Sequence, residues 1–386
     1  MAQFGDFTVD RNSTKYVLGS GGTIIPSATD EPAFEFNADG SYKGLLVEPA
    51  ATNYDTASST IITGWSPLNV TKSADQTTAP DGVAASADSV LETVANDNHF
   101  IYKDYTLGAG SYVFSCFVKS IGGRNFRFSI QALGGGGSGG GVVLFNLSTG
   151  TVASGTGTIT EIGDGWYRVS GPAVTAGATG IRVIAYSVDG TATTFVGDVT
   201  KGFYMWGAQV EAGPIATSYI PTTTASVTRV KDDITLGSAS SLIGQTEGTL
   251  YVEVDWRATT TFQHFLNASD GTSNNRVLIY KTDADELRMF AAANGAPLTN
   301  QGESSTAYSG IQKFALAYKT DDFELYRNGS SISSDTTASL AALTTLTNID
   351  LGQNVGGGSY ANMWIRAVAL YPKRLSDAEA QALTTL

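Results

Sequence analysis

Few side chains in this chain of 386 residues could carry out a reaction. There are two histidines, one cysteine and a low complement of charged groups. His99 follows Asn96-Asp97-Asn98, and His264 ends the run Thr261-Phe262-Gln263-His264. A nucleophilic triad needs Ser or Cys, His and a carboxylate in mutual contact, and neither histidine stands in such a setting. Both are expected to be surface or structurally satisfied residues. Glycoside hydrolysis needs only two carboxyl groups at a suitable separation. Glu253 and Asp255, two residues apart on one strand face, are the pair with that spacing, against the plainer expectation of a solvated strand face. Cys116 has no second cysteine to pair with and lies in a strand-like apolar run, so it is expected in the core. The string Gly134–Gly141 invites a phosphate-cradle reading, but strand residues follow it and no helix N-terminus does, so it is expected to be a hairpin loop.

Recognition chemistry is better represented. Aromatic rings stack on the apolar faces of sugars, and Arg, Gln and Asn hydrogen-bond hydroxyl groups. Arg127 and Gln131 share the polar side of one alternating segment, Arg168 could lie on a comparable face, and Trp65 follows Gly64 in a loop-like stretch. These four are the candidate ligand contacts. Trp166, Trp206, Trp256 and Trp364 lie in strand-like runs and are expected in the core.

The elements that must hold these groups are strands. Gly accounts for 44 residues, and Asp, Glu, Lys and Arg together make only 15% of the chain. Short Thr-, Val-, Tyr- and Phe-rich runs broken by Gly favour sheets and turns. Arg124–Leu133 alternates Phe126, Phe128 and Ile130 against Arg127, Ser129 and Gln131, the period of two of a half-buried strand. Ser111–Lys119, Gly165–Ser170, Ile181–Val188, Phe203–Val210 and Gly248–Trp256 behave alike. Asn328-Gly329 signals a hairpin turn, and Ser376-Asp377-Ala378-Glu379 is a capping box before a short helix. The expected fold is all-β, with two antiparallel β-sandwiches (jelly rolls) in tandem behind an extended N-terminal arm. Residues 1–50 form the arm, 51–229 the first sandwich and 230–386 the second, with a Thr/Ser-rich linker near 222–245.

Acidic residues outnumber basic ones by 36 to 23, and both halves share the excess. A phosphate backbone or an anionic membrane is therefore a poor partner. No apolar stretch approaches the ~20 residues of a membrane helix, and the N-terminus lacks the pattern of a secretory signal.

Ordered phrases carry a resemblance. Gly44-Leu45-Leu46-Val47-Glu48-Pro49-Ala50-Ala51-Thr52-Asn53, Gly165-Trp166-Tyr167-Arg168, Trp206-Gly207-Ala208-Gln209-Val210-Glu211 and Thr217-Ser218-Tyr219-Ile220-Pro221-Thr222 follow one another along the chain. Together they resemble a carbohydrate-binding-module-like jelly roll that recurs in phage tail-fibre and other virion proteins. Leu325-Tyr326-Arg327-Asn328-Gly329, the strand Ile365–Tyr371 and the ending Tyr371–Glu379 resemble concanavalin A-like/laminin G-like lectin domains.

The resemblance implies a non-enzymatic virion appendage, a tail fibre or spike, that binds a bacterial surface polysaccharide or receptor. It implies synthesis in the host cytoplasm, action outside the cell at the host surface, and contacts to other virion proteins through residues 1–50. A homotrimer is expected, with neither nucleic acid nor membrane insertion. The alternatives are a purely structural decoration protein and a polysaccharide-degrading glycosidase. A structural Ca²⁺ is common in such domains. Asn96-Asp97-Asn98 or Asp270, Asn274 and Asn275 could supply ligands for it, although no EF-hand loop marks a site.

Overall fold

A computed structural model describes residues 4–137, 140–256, 262–303, 310–357 and 359–386, and its sheets are antiparallel throughout. Alternation builds the first sandwich. One sheet, here the front sheet, runs in the order Thr151–Ser154, Gly141–Asn146, Asn125–Leu133, Gly180–Val188, Asn96–Tyr105, Thr194–Val196, and Ser66–Leu68 also pairs with Asn96–Tyr105. The back sheet runs Thr158–Gly163, Trp166–Ser170, Ser111–Ile121, Gly202–Ala212, Ala87–Glu92, Val70–Thr77. Phe114, Cys116, Phe126, Phe128, Ile130, Phe145 and Phe203 fill the space between them. Burial pushes the Cys116 thiol well above its ordinary range, so it stays protonated and inert. Gly134–Gly141 does bridge two strands, although Ser138 and Gly139 lie outside the described residues.

The second sandwich has one sheet ordered Thr8–Asp10, Asp233–Leu236, Asn348–Leu351, Gln263–Ser269, Arg276–Lys281, Leu287–Ala293, Ala296–Glu303. Its partner sheet is ordered Ser330–Asp335, Asp322–Arg327, Gly310–Lys319, Glu247–Trp256, Met363–Tyr371, Tyr42–Val47, Phe34–Phe36. Asn328 and Gly329 turn the expected hairpin with φ of 48° and 84°, the left-handed pair of a type I′ turn. Ser376 caps the helix Asp377–Thr384, with both halves of the capping box formed.

These strand orders change the expected boundaries. Residues 1–50 were expected as an arm outside both sandwiches. Instead Thr8–Asp10 and Tyr42–Val47 are strands of the second one, and Val9, Leu45 and Val47 sit in its core. The hairpin of Lys15–Leu18 and Ile24–Ser27 covers the outside of the first sandwich's back sheet. There Leu18 and Ile24 pack with Phe117, Trp166, Trp206 and Tyr219. The segment is too sparsely apolar for a core of its own, but it has enough apolar residues to complete two others. Gly44 shows how close the fit is, since a Cβ there would stand 2.7 Å from the Trp364 Cβ. The expected linker is likewise ordered structure. Val227–Arg229 pairs with Ala51–Asn53, and Asp233–Leu236 pairs on both edges.

A buried ion cluster sits where these segments meet. Arg11 reaches Asp232 at 3.0 Å, Lys15 reaches Asp232 at 2.5 Å and Glu48 at 3.2 Å, and Arg229 lies 3.5 Å from Glu48. All five side chains are 1% exposed or less. The excess positive charge is met by main-chain carbonyls, with Leu46 O accepting from Lys15, Pro49 O from Arg229, and Ala28 O and Glu31 O from Arg11. Glu48 also accepts from the Ser218 amide and hydroxyl.

Two expectations follow. Removing one charge strands the others, so Glu48→Gln or Asp232→Asn should each cost about 3–5 kcal/mol. Both sandwiches should unfold in one transition by calorimetry, and two transitions with an unshifted midpoint would contradict the joint. The second expectation concerns Asp350. Desolvation, with Asp233 nearby, pushes its carboxyl up to about 7. Its folded value lies above the unfolded one, so its contribution is full at acid pH and is lost as pH rises towards 7. Wild type should lose stability relative to Asp350→Asn between about pH 4 and 7, and parallel pH curves would refute the assignment.

Candidate functional site

The outer face of the front sheet gathers side chains suited to recognition. Phe126, Phe128 and Ile130 point into the core, which sends Arg127 and Gln131 outward. The register sets Arg127 beside Tyr186 and Gln131 beside Arg182 on the next strand. One strand further, Tyr186 faces Phe100, Ile184 faces Tyr102 and Arg182 faces Asp104, and Leu68 lies beyond Phe100. The face therefore has rows: Arg127, Tyr186, Phe100 and Leu68 in one, and Gln131, Arg182 and Asp104 in another.

Ring and charge geometry follow from those rows. The Phe100 and Tyr186 rings lie 5.0 Å apart, and Phe100 and Tyr102 6.3 Å apart, edge on. The Arg127 guanidinium lies 4.9 Å from the Tyr186 ring centre and that of Arg182 4.5 Å from Tyr102, both within cation–π range. Arg182 forks onto Asp104 at 2.6 and 2.7 Å, which holds the Asp104 carboxyl below its ordinary range and raises the guanidinium. Arg127 has no carboxylate among the described residues, and its buried Nε has no protein acceptor. Desolvation raises the Tyr186 phenol against the pull of Arg127, so it remains a neutral hydroxyl. The surface thus offers π faces, one neutralised arginine, one uncompensated arginine and the exposed amide of Gln131.

The other two candidate contacts lie elsewhere. Trp65 is only 3% exposed and packs on Phe114 at 6.2 Å inside the first core, so its ring cannot stack on a ligand. The apolar ring found a better place in the core than in the loop. Arg168 stands on the back sheet, opposite Phe117 in register. It donates to Thr217 O and to Ser115 Oγ, so it braces the joint between the sandwiches and lies on a different sheet from Arg127. Phe100, Tyr102, Tyr186 and Arg182 were missed from sequence. Arg182 and Tyr186 had the signal, being the residues of Ile181–Val188 out of phase with the buried Ile181, Val183 and Ala185. The cross-strand register that joins them to Phe100 had none.

Several residues weighed for catalysis and metal binding have other partners, whereas the buried Nδ1 of His264 has none among the described residues. His99 is buried, with Nδ1 2.8 Å from Asn69 O and Nε2 3.3 Å from Phe195 O. Glu253 accepts from Arg366 at 2.8 Å and from the Tyr251 hydroxyl. Asp270 accepts from Thr272, Asn275 and Thr344, which occupies both its oxygens. Asp97 accepts from the Asn98 amide. Among the described residues no three His, Cys, Asp or Glu side chains cluster as metal ligands would.

No protein-family model matches the chain, and no curated protein matches it. Solved structures similar to part of it include the carbohydrate-binding module CBM40 of the Ruminococcus gnavus IT-sialidase. That match has 19% identity and a TM-score of 0.33, and it covers 38% of this chain and 86% of that one. The same module is also known bound to alpha2,3 sialyllactose, at the same identity and coverage. The NanB sialidase of Streptococcus pneumoniae matches at 16% identity and a TM-score of 0.33, over 39% of this chain and 26% of that one. Likeness of this degree assigns no ligand to this chain.

The site geometry predicts a contrast in stability. Arg127→Ala removes a surface group and should change folding by less than about 0.5 kcal/mol. Trp65→Ala empties a core position and should cost about 3–5 kcal/mol. Urea denaturation of the two variants measures both, and equal effects would overturn the assignment of faces.

Proposed function

We propose that the chain binds a glycan without chemically altering it, and that the contact is the front-sheet face carrying Arg127, Gln131, Arg182, Phe100, Tyr102 and Tyr186. The observation that carries this reading is the row of Arg127, Tyr186 and Phe100 on an open sheet. Rings there can stack on sugar C–H faces, while a guanidinium without a carboxylate partner has donors to give to hydroxyl groups.

The ordered phrases support a setting. A phage tail fibre or spike would be made in the host cytoplasm and would meet a bacterial surface polysaccharide or receptor outside the cell. Residues 1–50 are paired within the chain, so contacts to other virion proteins fall to other surfaces. A homotrimer keeps avidity as its motive, since weak sites gain when several copies act together. One observation favours a different reading, that of a purely structural decoration protein. The phrases around Glu48, Gln209 and Tyr219 build the joint between the sandwiches, those of the second sandwich pack largely under the helix Asp377–Thr384, and neither set forms the open face.

An array of bacterial surface glycans probed with the full chain separates the two readings. Binding is expected, and Arg127→Ala should weaken it by about 1.5–3 kcal/mol, the value of a hydrogen bond to a charged group. The melting temperature should stay nearly constant. Silence across the array would favour the decoration protein, and binding indifferent to Arg127→Ala would remove the front face as the site.

A further inference from the structure

The second sandwich also leaves one sheet face open, and a groove of about 320 Å³ lies on it. Val277 and Ile279 point into the core, so Arg276 and Tyr280 point outward, together with Phe290 of the neighbouring strand. Phe262, His264 and Asn354 complete the lining. The rings of Phe262 and Tyr280 are 6.2 Å apart and tilted by 7°, and those of His264 and Tyr280 are 5.7 Å apart and tilted by 17°. Three rings therefore share nearly one plane direction, with Phe262 41% exposed at the outer end.

Charge in the groove is one-sided. Arg276 lies 5.0 Å from the Phe290 ring centre and donates through Nη1 to Asn354 Oδ1 at 2.6 Å. No carboxylate pairs with it among the described residues, and its Nε has no protein acceptor. Its neighbour Arg288 is neutralised by Glu286 at 2.9 Å. Burial beside Arg276 pushes His264 down to about 4, so at neutral pH the imidazole is an uncharged polar group. A half-buried guanidinium without a counter-ion, in a chain of net charge −13, is costly unless it has a negative ligand to meet.

We propose that this groove binds a carboxylated sugar residue of an acidic glycan, with Arg276 taking the carboxylate and the rings of Phe262 and Tyr280 walling the pyranose. The volume is at the small end of ligand sites and suits one or two sugar rings. A planar guanidinium can take a carboxylate in a fork, which is the geometry that distinguishes an acidic sugar from a neutral one. This site extends the glycan-binding reading and does not depend on the front-sheet face.

The test is titration calorimetry of the full chain with a glucuronate-containing oligosaccharide and with its carboxyl-reduced, neutral counterpart. The acidic ligand should bind about tenfold or more tightly, and added salt should narrow the gap. Arg276→Gln should abolish the preference, and Phe262→Ala, at an exposed ring, should weaken binding without disturbing the fold. Equal affinity for both oligosaccharides, indifference to Arg276→Gln, or no binding of the acidic one would overturn the proposal. Loss through Arg127→Ala alone would also overturn it while leaving the front-sheet reading intact. Loss through Arg276→Gln alone, with no glycan responding to Arg127→Ala, would sink the front-sheet reading instead.

Discussion

The architecture turns on five charged side chains that have no access to water. Arg11, Lys15, Glu48, Arg229 and Asp232 come from segments as far apart as 221 residues in sequence, and each needs the others to offset its desolvation. Hydrophobic contacts alone would tolerate a shifted hairpin or a slipped strand. A buried charge tolerates neither, because its partners stand at fixed points. The cluster therefore fixes the register in which the N-terminal segment is laid between the sandwiches, as polar groups in other cores fix register at some cost in stability.

Around it runs a second layer of hydrogen bonds made by the residues that give the sequence its resemblance. Asn53 donates to Ala208 O and Ile220 O and accepts from the Val210 amide. Gln209 accepts from the Ile220 amide and donates to Ser218 O. Glu211 accepts from the Thr217 amide. The phrases around Glu48, Gln209 and Tyr219 are thus parts of one joint. They stand in this order because they must meet, which ties them to the architecture and to no ligand.

Strands and core were legible in the sequence wherever alternation was strict. Arg124–Leu133 was read with the correct faces because three large apolar residues sit at even positions with polar ones between, and the capping box at Ser376 specified its helix locally. Residues 1–50 and 222–245 were misread because their strands are short and complete sheets begun elsewhere, so their own periodicity carries little of the information. Trp65 was misplaced for a related reason, since a loop position says nothing of the cavity it enters. At the open face, Arg127 and Gln131 followed from parity, while Phe100, Tyr102 and Tyr186 depended on a strand pairing that no local pattern encodes. Each sandwich spends one sheet on the joint or its covering and keeps the other free. The faces that carry Arg127 and Arg276 lie on the sheets that remain.

The same pairing governs how the chain can be made. Thr8–Asp10 needs Asp233–Leu236, and Tyr42–Val47 needs Met363–Tyr371, so both strands wait for partners made much later in the chain. The sandwich of residues 51–229 has its strands at hand much earlier and can close while synthesis continues. During that interval Leu45, Leu46 and Val47 have only the short strand Phe34–Phe36 to pair with and keep an open apolar edge, the kind that recruits other chains. Contacts of such long sequence separation also slow folding through the entropy of closing the loop. High expression temperature, or loss of Met363–Tyr371, is therefore expected to show as aggregation through Leu45–Val47.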